Sequence, residues 1–535
     1  MPKAAQRLAG CLAGILMIQA GLPCATSLAM EDPASSRAGM GLLEAVRITL
    51  QHHPDLSSAL SDVEVSQGSL QEAGAAFDPT MINEAKVSRQ HNMFQLTSDS
   101  PLTEQELDSS LVSAGLAQKF RSGVTVKPKV QSVLNRYAYT GDPQDLALST
   151  APLATGSVVF EVVVPLLKGR GEASAAAEES SAGKRLEASL LNLRHTTSSK
   201  VYETVKAYWN VLAAVRNRDL FAASEERTRK ALAETKRQVD LDARPPSATV
   251  PLEAALAARI LSKERYVERI VEARHSLGLA MGLGAEAIEN LPNPRLDFPV
   301  LTRKVVEDVP DKDALVKLAL ADRDDYLAAR ASLESYQILS EAAHLDLRPR
   351  LDLDLQVGYT GADFGQHRDS LATDLTSNMS GANFLFCLTH TWPVGNNAAR
   401  GILAQRLGAQ RKQQIARQDL ERKIGSQVSV ARNKVAQGQN QVELAGRAVE
   451  LYDKAVEVER KKAKLGESTV QDVLDMEDKL NNAYLDLISS QQSLATAVAE
   501  LRYQTGCLVR FRDQKGTVER DFLVGLIFPA AGEER

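Results

Sequence analysis

The residues best suited to chemistry lie close together near the C-terminus. The stretch "STVQDVLDMEDKL" (468–480) holds Asp472, Asp475, Glu477 and Asp478. Asp472 and Asp475 are three apart, so a helix would carry both on one face. Such carboxylates can cap a helix, hold a metal, work as an acid–base pair, or line a passage. Thr469 followed by Asp472 has the spacing of a capping box with Asp in place of Glu, and an acid suits the first turn of a helix. Asp475 sits one turn deeper, where capping no longer accounts for it. A catalytic pair is poorly supported, because no histidine or nucleophile pattern accompanies these acids. The eight histidines include one adjacent pair, His52 and His53, and neither an i,i+4 partner nor a cysteine cluster suggests zinc. They are expected on the surface. No Gly-rich phosphate loop follows a strand, so nucleotide hydrolysis is not expected. Neither a cofactor nor a bound metal is called for, and the chain is not expected to be an enzyme.

The elements that must position these acids follow from composition and period. Hydrophobic residues make up 44% of the 535 but aromatics only 5%, so the apolar share is mostly Ala, Leu and Val. Ala and Leu favour helices. A net charge of -5 gives no footing for nucleic acid, which would need an unmatched Lys/Arg stripe. The N-terminus has a basic start, the apolar run "LAGCLAGILMIQAGL" and "SLA" ending at Ala29, the layout of a secretory signal over 1–29. Beyond it only Cys387 and Cys507 remain, too few for a disulfide scaffold. No other apolar run approaches the roughly 20 residues of a membrane helix. Any membrane span must therefore be made of β-strands.

The chain is internally duplicated. Residues 44–80 and 314–350 align without a gap at an offset of 270, with Val46/Val316, Asp55/Asp325, Glu64/Glu334 and Pro79/Pro349 among the identities. Both segments have a helical apolar period and end before a proline, which favours extended backbone at that point. Strand-like runs follow. "RLDLDLQVGY" (350–359) alternates, "ANFLFCLTHTWPVGN" (382–396) ends in Pro393, and "GSVVFEVVVPLLKGRG" (156–171) is its counterpart. "KFRSGVTVKPKVQ" (119–131) reads as a strand pair about Gly123, within a stretch whose strand count stays open. Long helices come next, with Val201, Val205, Tyr208, Leu212 and Val215 in step in the first half. In the second, Ile424, Val428, Ala431, Val435, Val442, Ala445, Val449, Tyr452 and Val456 keep a coiled-coil phase interrupted only by Gly438, which leaves room for close packing. Breaks at "DARPPSAT" (242–249) and "KLGEST" (464–469) precede return helices.

This layout divides the chain into a first repeat over 41–289, a Pro-rich linker over 290–310, a second repeat over 311–507 and an irregular tail over 508–535. Strands are expected at about 79–165 and 350–394, and long helices at 172–283 and 397–506. A helix of seventy residues runs roughly 100 Å, beyond an ordinary globular core. The strands are too few to close a barrel, so assembly with identical copies is the natural way to remove their edges.

With these elements in place, the chain resembles the TolC-type outer-membrane efflux proteins over about 41–507. The likeness is carried by the signal peptide, the opening "LLEAVRITLQHHPDL", the Pro-ended strand before a Gly-containing turn in each half, and most strongly by "LGESTVQDVLDMEDKLNNAYLDLISSQQSLATAVAELRYQTG" (465–506), similar to the family's Gly-x-x-x-x-x-Asp-Val-Leu-Asp segment, here Gly466 to Asp475. The resemblance implies a mainly α fold with a membrane β-barrel portion, assembled as a homotrimer with a helical tunnel in the periplasm. It further implies a passive exit duct in the outer membrane of a Gram-negative-type bacterium. The duct would serve a tripartite efflux pump or type I secretion system, with a periplasmic adaptor (membrane fusion) protein and an inner-membrane transporter as partners. Asp472 and Asp475 match the family's carboxylate gate. In a trimer they would form a ring of like charges, which raises some of their pKa values and attracts cations. The tip turns Lys464, Leu465, Gly466, Glu467 and Ser468, with Ala243, Arg244, Pro245 and Pro246, match the adaptor-docking region. The chain departs from the family in having "ARPPSATVPLEA" where a Gly-containing turn is usual, and no evident tyrosine or arginine latch near Ala463 and Ser468. Trp392 closes a strand and suits either the aromatic girdle of a membrane interface or ordinary packing. Trp209 suits core packing. The competing reading is a periplasmic coiled-coil adaptor or tether without channel activity, though an adaptor would have a single helical hairpin and a tether no need of alternating strands.

Overall fold

The computed structural model describes residues 39–95, 102–140, 152–242, 244–295, 297–364, 380–512, 515–517 and 525–526. The expected signal segment over 1–29, Ala243 and most of the C-terminal tail lie outside them.

Each repeat opens with two short helices rather than one. In the first these are α1 (Leu42–His52) and α2 (Pro54–Gly74). The break falls at His53, where Pro54 starts a helix readily but cannot continue one. Four strands follow, β1 (Thr80–Phe94), β2 (Thr103–Lys119), β3 (Thr125–Thr140) and β4 (Leu153–Pro165). Then come the 64-residue α3 (Ala177–Asp240) and the return helix α4 (Val250–Ala280). The second repeat has α5 (Lys312–Asp322) and α6 (Asp324–Leu345), strands β5 (Arg350–Phe364) and β6 (Ser380–Thr391), the 69-residue α7 (Asn397–Leu465), and α8 (Val470–Gln504). Its break is at Arg323, the position 270 residues after His53, so the duplication includes the kink. Here no proline forces it. Instead Arg323 is buried and holds Asp325 through two nitrogens, at 3.0 and 2.7 Å, and Gln504 at 2.6 Å.

The breaks also correct the expectation that all histidines lie at the surface. His53 is buried and its Nδ1 accepts the Asp55 N–H at 3.1 Å, capping α2. His195 is half-buried beside Tyr503. A glycine with positive φ closes each return helix against its own repeat's break: Gly282 against His53, Gly506 against Asp322 and Arg323.

All six strands form one antiparallel sheet in the order β1-β2-β3-β4-β5-β6. The first repeat thus supplies four strands and the second two, joined where β4 pairs with β5 from Leu153↔Phe364 to Pro165↔Asp352. The β2–β3 turn has Gly123 at φ +92, where a Cβ would lie 2.1 Å from the Gly169 carbonyl oxygen, so no other residue fits. The tail, expected to be irregular, carries a small two-stranded pairing of β7 (Arg510–Arg512) with β8 (Lys515–Thr517).

Helices rather than the sheet hold the core. Val201, Val205, Tyr208 and Trp209 of α3 meet Leu42, Val46, Leu277 and Met281, with Trp209 against Phe298 of the Pro-rich linker. Ile424, Val428, Ala431 and Val435 of α7 are fully buried against Val498 and Leu501 of α8. Gly438 continues that seam, and a Cβ there would come within 3.3 Å of Leu494. Tyr452, in the same phase, is 38% exposed, but Val449 and Val456 on either side of it are buried with Leu480 and Ala483 of α8, so the seam continues toward the tip.

Candidate functional site

The two helical hairpins, α3–α4 and α7–α8, end at the same tip. Leu232 and Leu252 of the first pack there on Leu474 of the second. Their turns are built differently. α7 ends in a Schellman motif, with Gly466 at φ +80, its N–H on Ala463 O at 3.4 Å, and Glu467 N–H on Lys462 O at 3.0 Å. The first-half turn has no glycine. Asp242 takes the positive φ, Ala243 lies outside the described residues, and a 3-10 turn over Pro246–Thr249 leads into α4. At these turns Leu465, Gly466, Glu467, Pro245 and Pro246 are exposed and Ser468 and Arg244 half-buried, while Lys464 belongs to the last turn of α7.

The acids sit just inside the second turn, and the structure separates them into two kinds. Thr469 is the N-cap of α8: its hydroxyl accepts the Asp472 N–H at 3.2 Å, and Asp472 Oδ2 accepts the Thr469 N–H at 3.0 Å and hydroxyl at 2.6 Å. The Thr469 hydroxyl and backbone, with the Ser468 hydroxyl, hold the Asp472 carboxyl below the ordinary carboxylate range. The capping box expected from the spacing is formed. Asp475 accepts from Gln471 at 2.8 Å and takes no part in the cap. Asp472, Asp475 and Lys479 are all exposed and share one helical stripe.

Glu477 and Asp478 do something else. Glu477 is buried and bonds Arg460 of α7, and Asp478 bonds Arg259 of α4. The first pair ties α8 to its own hairpin and the second to the other. Asn481 extends the tie, bonding Ser224 of α3 at 3.0 Å and accepting from Arg227 at 3.3 Å. Sequence reasoning missed both arginines, because partners 17 and 219 residues away are brought in only by packing. Among the described residues no group of three or more His, Cys, Asp or Glu is arranged to hold a metal.

The second feature is the sheet's two unlike faces. Register puts Pro128, Phe160, Val357 and Phe384 in one row on one face. The next row on that face is Val126, Val162, Leu355 and Phe386. Met81, Ala85 and Val87 of β1 continue the face beside Leu116, Val112 and Ser110. These are not core residues: Val87 is 83% exposed, Phe384 78% and Phe386 70%. The opposite face carries the Lys127–Glu161 ion pair at 2.6 Å, with Gln356, Asp354, Asn383 and Cys387. Beyond the apolar rows the first face turns charged, with Arg89 bidentate on Asp108. Trp392 follows β6 in step with this face at the sheet's helical end and is 68% exposed. No helix is long and apolar enough to cross a membrane among the described residues.

An exposed apolar band on one sheet face, above a helical body with a shared tip, has counterparts among known proteins. Residues 315–506 match the family model described as "Outer membrane efflux protein". This stretch is an outer membrane efflux protein domain. The resemblance drawn from the sequence is borne out, and the internal duplication extends the domain's plan into the first half. No curated protein matches the chain. The fold of the efflux protein domain and of most of the chain is that of solved channels. One is the Campylobacter jejuni CmeC outer membrane channel, at 14% identity and TM-score 0.59, covering 91% of this chain and 94% of that one. Another is the outer membrane protein VceC from Vibrio cholerae, at 15% identity and TM-score 0.59, covering 87% and 96%. A third is the open state of the Neisseria gonorrhoeae MtrE outer membrane channel, at 18% identity and TM-score 0.56, covering 87% and 88%.

Proposed function

We propose that this protein is the outer-membrane exit duct of a tripartite efflux pump or type I secretion system. It works as a passive homotrimer whose sheets cross the outer membrane and whose helices form a tunnel into the periplasm. The observation that carries this reading is the apolar band of the sheet. A face that exposes Val87, Phe384 and Phe386 costs free energy in water, at about 25 cal/mol per Å2, and loses that cost in hydrocarbon. The polar opposite face suits a water-filled lumen. A periplasmic adaptor or tether would have no use for such a band.

Within this reading Trp392 sits at the periplasmic interface of the membrane. The paired turns around Lys464–Ser468 and 243–246 meet the periplasmic adaptor, which connects the duct to an inner-membrane transporter. Asp472 and Asp475, exposed on one stripe beside the tip, form an acidic ring where three copies converge, and Lys479 on the same stripe moderates its charge. The Arg460–Glu477 and Arg259–Asp478 ties fix the helix that bears the ring.

Planar-bilayer recording of the purified protein tests this. Expected are channels whose cation preference and divalent block both fall in the Asp472→Ala/Asp475→Ala variant. If conductance, selectivity and block are unchanged, these acids are not the gate. Crosslinking from the tip turns, read by mass spectrometry, should capture the adaptor.

A further inference from the structure

Among the described residues the sheet ends on both sides in strands with a single neighbour, β1 with only β2 and β6 with only β5. These edges are long, 15 and 12 residues. In hydrocarbon each unpaired backbone group costs several kcal/mol, so neither edge can stay open. Three observations identify the occupant as a second copy of this chain. The strands alternate in direction and number six, so β6 runs opposite to β1, and edge pairing between copies would be antiparallel like every other pair. The apolar face reaches both edges, with Met81, Ala85 and Val87 on β1 and Phe384, Phe386 and Leu388 on β6. The third is width. Four helices of each copy lie side by side at every level, α2, α3, α6 and α7 beside the sheet and α4, α3, α8 and α7 toward the tip. At about 9 Å per packed helix they cover about 36 Å of perimeter. Six strands about 4.8 Å apart and tilted about 40° cover about 38 Å. Sheet and helices subtend the same arc.

We propose, resting on the trimeric duct reading, that three copies close β1 of each on β6 of the next into a barrel of three times six, eighteen strands. The β2–β3 hairpin, which has no counterpart in the two-stranded second repeat, is an integral part of the wall. The backbone diameter is then about 36 Å, in the range where barrels hold an open aqueous channel. The bore therefore does not narrow between tunnel and membrane. The size limit for cargo lies at the periplasmic tip, and the barrel itself admits bulky solutes and polypeptide chains.

Excising residues 103–140 tests the inference, since it joins β1 to β4, which also run antiparallel, and leaves twelve strands in a trimer. Pore area scales as the square of the strand ratio, so the barrel's cross-section should fall about twofold, and the largest polyethylene-glycol maleimide that reaches Cys387 from the outer mouth should become smaller. An unchanged size limit at Cys387 would show the hairpin outside the wall and overturn the proposal. A second measurement covers failure of that variant to fold. Cys387 lies on the lumenal face of β6, and Ile82, Glu84, Lys86 and Ser88 on the same face of β1. In full-length protein a short bis-maleimide should link copies covalently through Cys387 and one of Ile82→Cys, Glu84→Cys, Lys86→Cys or Ser88→Cys. No link at any of them, in a protein that is trimeric and conducting, overturns the closure and leaves the duct reading standing. A protein that neither conducts nor forms trimers overturns the duct reading as well.

Discussion

Asp472 and Asp475 share a motif and an exposed stripe, yet only one is bound into the backbone of its own helix. Thr469→Ala removes the cap and should cost about 1 kcal/mol, seen as faster amide exchange in the first turn of α8. The cap is also pH-dependent. Because hydrogen bonds hold the folded Asp472 below its ordinary value of 3.8, its contribution is complete above pH about 4 and is lost as pH falls through the depressed value. Protection of that turn should therefore hold at about pH 5 and fail in the acid limb below about pH 4. Asp472→Asn should remove that dependence, and a variant that keeps the same acid limb would contradict the assignment. The capping box was legible in the sequence because its bonds span three residues. The Arg460 and Arg259 ties were not, because no local pattern pairs Arg259 with Asp478.

At the scale of elements, three glycines with similar backbone angles have different surroundings. Gly282, Gly506 and Gly466 all have φ of +74 to +80. A Cβ at Gly282 would lie 2.6 Å from His53 Cα, one at Gly506 would lie 2.8 Å from Asp322 O, and one at Gly466 would meet nothing. Gly466→Ala should therefore cost only the left-handed conformation, about 1–2 kcal/mol. Gly282→Ala and Gly506→Ala should lower the melting temperature further, because backbone must move. Equal melting temperatures for all three would refute the close approach. In the α7 seam, Gly438→Ala should be nearly neutral, its gain in helix propensity offset by the tight contact with Leu494. Gly438→Leu should overpack and destabilise by about 1–3 kcal/mol in thermal melts. The long helices could be read from their period over many turns. Of the two breaks in the opening helices, Pro54 marks the first in the sequence, whereas the kink at Arg323 rests on its buried bonds to nearby Asp325 and to distant Gln504. The strand count between residues 80 and 156 could not be read, because no single strand there has an unbroken alternation. The two-faced character of "TMINEAKVSRQ" emerges only once register sets Val87 and Met81 beside the apolar residues of their neighbours.

For the whole molecule, the apolar sheet face and the shared hairpin tip lie at opposite ends, which in the proposed duct become a membrane-embedded rim and a periplasmic mouth. Lipid exposure predicts an asymmetry between adjacent residues of β6. Phe386→Arg, on the apolar face, should cost about 2–4 kcal/mol of membrane stability and deplete the protein from the outer membrane. Cys387→Arg, one residue on and facing the lumen, should leave assembly intact and shift ion selectivity. Equal effects on assembly would contradict the orientation of the sheet. The most direct test of the account is cell fractionation followed by mass measurement in detergent. A trimeric outer-membrane duct predicts that the protein is recovered from the outer membrane only with detergent, at three times the mass of the mature chain. Recovery as a soluble periplasmic monomer would contradict it.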